Sequence, residues 1–121
     1  MPEVGEAGEA GEASVDTGAR VVLVTAPDLA VAERLVRTLV EERLAACGNI
    51  VPGVTSIYRW QGGIQRDEEV LIVLKSAAQT VPRLTARVPE LHPYEVPEVV
   101  VLEIAGGHGP YLDWVRAAGG P

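Results

Sequence analysis

Two short apolar runs, each followed by the pattern of an amphipathic helix, recur about 50 residues apart in this chain. The runs cover residues 21–25 and 70–74, and apolar runs of this length are typical of strands that are buried on both faces. A further strand-like segment follows each helical pattern, and such crossovers are right-handed. The repetition predicts a ferredoxin-like βαββαβ domain of the α+β class, with an antiparallel sheet in which the first and third strands are central.

The two helical patterns differ in how clearly their ends are marked. Apolar residues recur at spacings of three and four across residues 29–44, directly after Asp28, which is a suitable N-cap. The second pattern covers residues 81–91, and Thr80 is its expected cap. Pro89 lacks the N–H that a helix interior requires, so we expect a kink or an early end there.

Strand patterns over residues 47–60 and 98–104 complete the predicted sheet. The proline and glycine at positions 52–53 interrupt the first pattern, which is typical of an edge strand or a bulge. The second pattern is apolar, although the topology places it at an edge where an unpaired strand invites association. We expect a partner subunit to cover it; the alternative is a closing helix over residues 111–117.

The first 19 residues have the composition of a disordered acidic tail. Five of the 17 acidic side chains lie there with a tandem Gly-Glu-Ala repeat, and this segment contains no basic residue. Such a segment buries too little surface to offset the entropy lost on ordering. The predicted domain therefore spans residues 20–117, and we expect deletion of the tail to leave its fold and assembly intact.

The remainder of the sequence predicts a cytoplasmic protein without nucleic-acid or membrane partners. Its charges nearly balance, and it has no basic stripe of the kind that binds nucleic acid. No apolar run approaches the roughly 18 residues of a membrane span. Cys47 is the only cysteine, so an internal disulfide is impossible, which suits a reducing compartment.

Few residues carry the chemistry of a metal site or of a catalyst. Cys47 and His92 are the first candidates for ligands of copper or zinc, and His108 is the third, but no two of them lie at a local ligand spacing. The alternatives are a small core residue for Cys47 and a solvated loop residue for His108. No nucleophile-elbow motif and no nucleophile–base pair is present, so we predict no catalytic site and no enzyme activity.

The aromatic residues are unusual because phenylalanine is absent. The five aromatic side chains are Tyr58, Trp60, Tyr94, Tyr111 and Trp114, and each has a polar tip. Such side chains suit interfaces and ligand pockets better than a dry core. The alternative is that they seal the ends of a small core, and the sequence favours neither reading.

Short motifs follow one another through most of the predicted domain. They are Val22-Leu23-Val24-Thr25-Ala26-Pro27-Asp28, Leu44-Ala45-Ala46-Cys47-Gly48-Asn49-Ile50, Ser56-Ile57-Tyr58-Arg59-Trp60, Leu74-Lys75-Ser76, His92-Pro93-Tyr94-Glu95-Val96-Pro97-Glu98 and Tyr111-Leu112-Asp113-Trp114. In these motifs, over about residues 21–114, the sequence resembles the CutA family of divalent-cation tolerance proteins. The acidic tail falls outside the resemblance.

The resemblance implies a homotrimer whose hairpin strands contribute to intersubunit sheets. It also implies a role in tolerance of copper and other divalent metals, and an architecture like that of PII signalling trimers, which bind small effectors between subunits. His92 matches the histidine of the His-Pro-Tyr motif, which is associated with metal binding, and Cys47 matches the family's cysteine. Val24 and Leu91 stand where some members have a cysteine and a second histidine. A site must therefore combine His92 with Cys47, Glu95 or groups from a neighbouring subunit.

The resemblance leaves three functions open. The first is a metal-responsive trimer that binds copper or a similar divalent ion weakly through His92 and its neighbours. The second is a PII-like sensor, in which Lys75 attracts a small anionic or aromatic ligand and the aromatic side chains stack on it. The third is a structural adaptor that stabilises a partner, with the tail as a tether. The cleft of the PII-like sensor would be lined by Tyr58, Trp60, Lys75, His92, Tyr94, Tyr111 and Trp114.

Overall fold

The computed structural model describes residues 15–118 as an alternation of strands and helices. Along the chain the elements are β1 (Ala19–Ala26), α1 (Leu29–Glu41), β2 (Cys47–Trp60), β3 (Gly63–Ala77), α2 (Val81–Leu91), β4 (Val100–Glu103) and α3 (Gly109–Ala118). A short 3₁₀ turn, Ala78–Thr80, connects β3 to α2. Within the described part of the chain, no helix is both long enough and apolar enough to cross a membrane.

The four strands form one antiparallel sheet in the order β2-β3-β1-β4. The first and third strands are central, which confirms the ferredoxin-like α+β prediction. Alternate side chains of these strands point to one face, where α1 and α2 cover them. The resulting core includes Val22, Val24, Ile72, Leu74, Leu35, Leu39, Leu84 and Val88.

Helix α1 begins where the sequence indicates and ends earlier. The Asp28 side chain accepts a hydrogen bond from the Val31 N–H at 2.9 Å, which confirms the predicted cap. The helix ends at Glu41, because Arg43 adopts a left-handed conformation with φ 61°. The Leu44 N–H then donates to the Leu39 carbonyl at 2.9 Å, the bond that defines a Schellman ending. Leu44 therefore continues the apolar pattern without continuing the helix.

Helix α2 continues through Pro89 to Leu91, so the expected early end at Pro89 is wrong. Pro89 lies in the last turn of α2. It removes one intrahelical hydrogen bond, and only two helical residues follow it, so the helix is not ended early. Thr80 occupies the N-cap position, but its side chain makes no capping hydrogen bond. The cap therefore differs from that of α1.

Strands β2 and β3 form a hairpin that extends well beyond the sheet. The apolar run at residues 70–74 predicts only part of β3, since its first seven residues are mostly exposed. Gln61 and Gly62 both have positive φ angles, 51° and 80°, as in the type I′ turns that suit two-residue hairpins. The register shifts between Val51 and Val54, which places Pro52 and Gly53 in a bulge, as predicted.

The sheet face opposite α1 and α2 is apolar, and helix α3 packs at one end of it, where Ala19 clusters with Leu112 and Val115. The strand register places six aliphatic side chains there: Val21, Leu23, Leu71, Val73, Val100 and Leu102. We call these six residues the open face. Val100 and Leu102 remain 44% and 45% exposed, and β4 is shorter than the predicted strand over residues 98–104. Helix α3 therefore does not cover β4 within the subunit.

Residues just before the predicted domain start at Arg20 contact other parts of the described chain. Ala19 is fully buried as the first residue of β1, so the predicted boundary at positions 19–20 falls inside a strand. Thr17 Oγ1 donates to the Ile104 carbonyl at 2.7 Å, and Arg116 Nη1 donates to the Thr17 carbonyl at 2.6 Å. Residues 1–14 of the predicted tail lie outside the described residues.

Candidate functional site

A groove of about 590 Å³ lies between the extended hairpin and the connector that joins α2 to β4. The register of β2 with β3 places Ser56 and Tyr58 on the same side of the hairpin as Asp67 and Glu69. This side continues the open face of the sheet, and Thr25 of β1 closes one end. The lining residues are Thr25, Ser56, Ile57, Tyr58, Trp60, Asp67, Glu69, Tyr94, Glu95, Val96 and Glu98.

Two tyrosine–carboxylate pairs fix the walls of this groove. The Tyr94 hydroxyl donates to Glu69 Oε2 at 2.7 Å, and the Tyr58 hydroxyl donates to Asp67 Oδ2. Burial and the hydrogen bond to Glu69 raise the pKa of Tyr94, and the hydrogen bond to Asp67 raises that of Tyr58. Both phenols therefore remain protonated donors at neutral pH.

The His92 ring lies behind Tyr94 and does not line the groove. Its side chain is largely buried, and its ring centroid is 4.6 Å from that of Tyr94. The backbone N–H of Tyr94 donates to Nδ1 at 3.1 Å, so Nδ1 carries no proton. The other ring nitrogen, Nε2, lies 2.7 Å from the Thr25 carbonyl, which can only accept, so Nε2 carries the proton. Both ring nitrogens are therefore engaged, and coordination of a metal ion requires the ring to give up one of these bonds.

Cys47 lies far from His92 within one chain. Cys47 pairs with Lys75, and Lys75 pairs with Val21, four residues along β1 from the Thr25 carbonyl that His92 contacts. Four residues of a strand span roughly 13 Å. Cys47 and His92 therefore cannot bind one ion in the same subunit. Among residues 15–118, no group of three His, Cys, Asp or Glu side chains is arranged to hold a metal ion.

The predicted cleft residues fall into two separate groups. Tyr58, Trp60 and Tyr94 line the groove, and so does Glu95, which was expected to help His92 bind a metal ion. The other three, Lys75, Tyr111 and Trp114, lie at the far end of the sheet. The seventh, His92, lies behind Tyr94, so one chain does not form the single cleft that all seven would line.

Two members of the far group, Lys75 and Tyr111, lie beside Cys47. Lys75 Nζ donates to Asn49 Oδ1 at 2.6 Å, and the Tyr111 hydroxyl lies 3.8 Å from Cys47 Sγ. This contact with the thiol raises the pKa of Tyr111. The rings of Tyr111 and Trp114 are 5.7 Å apart. The cluster is a partly exposed surface in which the lysine is already hydrogen-bonded.

Sequence reasoning missed the acidic partners of the groove. Asp67 and Glu69 lie in the part of β3 that the apolar pattern does not reveal. The one available signal was the hairpin register, because cross-strand pairing from the Gln61-Gly62 turn places Ser56 opposite Asp67. His108, the third predicted ligand, is exposed before α3, and its carbonyl accepts from the Leu112 N–H at 3.1 Å.

Comparison with known proteins identifies relatives over nearly all of the described chain. The family model described as CutA1 divalent ion tolerance protein matches residues 20–118. The Divalent-cation tolerance protein CutA of Thermus thermophilus is 56% identical over 96 residues, which cover 79% of this chain and 93% of that protein. The human Protein CutA is 50% identical over 93 residues, 77% of this chain, and the matched region spans about half (52%) of the human protein.

Solved structures agree in fold over the same region. The divalent cation tolerance protein of Thermus thermophilus superimposes with a TM-score of 0.82 at 54% identity, covering 84% of this chain and 99% of the other. CutA from Xylella fastidiosa gives a TM-score of 0.82 at 39% identity, covering 84% of this chain and 97% of the other. The chain therefore belongs to the CutA1 divalent ion tolerance protein family.

Proposed function

We propose that this protein acts in divalent-cation tolerance as a homotrimer that binds copper or a related divalent ion weakly. The observation that carries the proposal is the family match over residues 20–118, together with a relative named for divalent-cation tolerance at 56% identity. The role is therefore a response to metal ions rather than catalysis.

The open face supports assembly. Its aliphatic side chains form a continuous surface across β1, β3 and β4, and exposed apolar patches of this kind mark interfaces. The edge of β4 also has unpaired backbone groups that a second copy satisfies by strand pairing. Copies of this chain bury both features at once, since each copy has the same face and the same edge.

Weak metal binding fits the arrangement of the donor groups. Within the described residues of one subunit, no three donors converge, and both nitrogens of His92 are hydrogen-bonded. A metal site therefore forms only with a reoriented ring, with Glu95, or with a donor such as Cys47 from another subunit. Each route costs free energy before the ion binds, because the ligands must be rearranged or desolvated.

Calorimetric titration with Cu²⁺ tests this proposal. We expect the wild-type protein to bind as many ions as there are subunits, and the variants His92→Gln, Glu95→Gln and Cys47→Ala to identify the donors by loss of heat. Glu33→Gln, an exposed change on α1, is the control for a general loss of negative charge. If all four variants bind Cu²⁺ as the wild type does, these three residues form no metal site.

A second function, sensing of a small effector, is favoured by the groove. Its volume of about 590 Å³ lies in the range of small-molecule sites, and three aromatic side chains offer stacking surface. The groove lies beside the open face, so a neighbouring copy is well placed to complete its wall. A thermal-shift screen of small metabolites, with a chelator present, tests this function separately from metal binding.

A further inference from the structure

We propose that the groove between the hairpin and the α2–β4 connector binds an organic cation with separated positive charges, of the polyamine or alkylammonium class. The inference rests on the proposed effector function and specifies the chemistry of the ligand. It reverses the expectation that Lys75 attracts an anion, because Lys75 lies at the other end of the sheet and is hydrogen-bonded to Asn49.

The charged side chains that line the groove are all acidic. Its described lining includes the carboxylates of Asp67, Glu69, Glu95 and Glu98 and contains no lysine or arginine. The tyrosine hydroxyls donate one hydrogen bond each to Asp67 and Glu69, so each carboxylate keeps further acceptor sites. An anionic ligand is repelled from such a groove, and a cation is attracted to it.

The aromatic walls point to an organic cation. Tyr58 and Trp60 both line the groove, and in the single chain they are 41% and 51% exposed. Ammonium and guanidinium groups bind over the faces of tryptophan and tyrosine, whose quadrupoles are negative. The alkyl segments between charges also fit apolar neighbours, which Ile57 and Val96 provide.

The spacing of the carboxylates favours an extended ligand over a single metal ion. Asp67 and Glu69 lie two residues apart on the same face of β3, a separation of roughly 7 Å along the strand. Glu95 and Glu98 lie across the groove, on the connector. A metal ion requires several donor groups that converge on one point. Among the described residues, no three such donors converge. Charges distributed along a chain match this arrangement.

Calorimetric titration of the full-length protein with spermidine, in the presence of a chelator, tests the inference. We expect saturable binding that the double variant Glu95→Gln/Glu98→Gln weakens roughly tenfold, because two charge contacts are lost. The charge-matched control is Glu33→Gln/Glu41→Gln on the exposed surface of α1, which removes the same charge away from the groove. Trp60→Leu, which keeps an apolar wall but removes the π face, should also weaken binding.

The outcomes separate this inference from the effector function on which it rests. Equal weakening by the two double variants would show a diffuse counterion effect and would overturn the organic-cation inference. Displacement of spermidine by Mg²⁺, at the same total concentration of positive charge, would have the same meaning. Absence of spermidine binding also overturns it. If the wild type is then stabilised by an anionic or neutral metabolite, the effector function survives with another ligand class. If no small molecule binds, both proposals fail.

Discussion

At Gly48, the packing of α1 against β2 leaves no space for a side chain. A Cβ atom built there would lie 2.8 Å from Val36 Cγ1 and 2.9 Å from Leu74 Cδ2. The valine methyl is stiff and the leucine is fully buried, so neither neighbour moves away easily. The glycine therefore sets how closely the helix approaches the edge strand.

We accordingly expect Gly48→Ala to lower the free energy of unfolding by about 1–3 kcal/mol, as overpacked cores do. Urea denaturation at a fixed chain concentration measures the change, because assembly makes stability depend on concentration. Gly106→Ala is the control, since a Cβ atom at Gly106 meets nothing within 4 Å. Equal stability of the two variants would mean that α1 shifts to accommodate the methyl group.

The groove also shows which of its residues can be recognised in the sequence by their type alone. Tyr58, Trp60 and Tyr94 were identified because aromatic side chains with polar tips are informative by type. Their partners Asp67 and Glu69 are ordinary surface carboxylates by type, and only the strand register makes them part of the site. Residue type is local information, whereas the partner of a residue depends on long-range pairing.

At the scale of elements, burial decides what a sequence pattern can predict. Strand β1 and helix α1 have periodic apolar residues because each packs on the core, and both were predicted with few errors. The outer part of β3 has exposed residues on both faces of the hairpin, so no apolar pattern marks it. Strand β2, by contrast, has the bounds that the strand pattern over residues 47–60 predicts.

The end of α1 provides a second stability test. Arg43 holds a left-handed conformation that costs a residue with a Cβ atom roughly 1–2 kcal/mol. Arg43→Gly should therefore raise the free energy of unfolding by about 1 kcal/mol, after allowance for the greater freedom of glycine in the unfolded chain.

The matched control for this change lies two turns earlier. Arg37→Gly replaces an exposed arginine inside α1 and should destabilise the protein by about 1 kcal/mol, because glycine is a poor helix former. Thermal unfolding monitored by circular dichroism compares the two variants. A loss of stability in both would contradict the role assigned to the Schellman ending.

At the scale of the whole molecule, the helices and the open face divide the sheet into two unlike sides. One side is covered by α1 and α2, and the other displays aliphatic side chains at 44–45% exposure on β4. A sequence shows this division only indirectly. A central strand is apolar on both faces, whether a face is covered by helices of the same chain or by a partner. The apolar edge strand was therefore predictable from the sequence, while the apolar face beside it was not.

Leu102→Glu tests whether the open face is an interface. Leu102 is 45% exposed in the single subunit, so the glutamate is tolerated by the fold but carries its charge into the proposed interface. We expect the wild type to elute as a trimer and the variant as a smaller species, with mass measured by light scattering. Leu29→Glu, 47% exposed at the start of α1, is the control and should remain trimeric. An unchanged mass for Leu102→Glu places the interface elsewhere.

The hydrogen bonds of Thr17 have a practical consequence for experiments on this protein. They fasten the start of the domain beside Ile104 and Arg116, at the end of β1 opposite Thr25 and the groove. The eight residues of β1 separate these two ends by roughly 25 Å. A biotin or fluorophore attached ahead of Val15 is therefore joined to the domain at the end remote from the groove. Immobilisation through the N-terminus presents the groove to solution, which makes surface-based screening of ligands feasible.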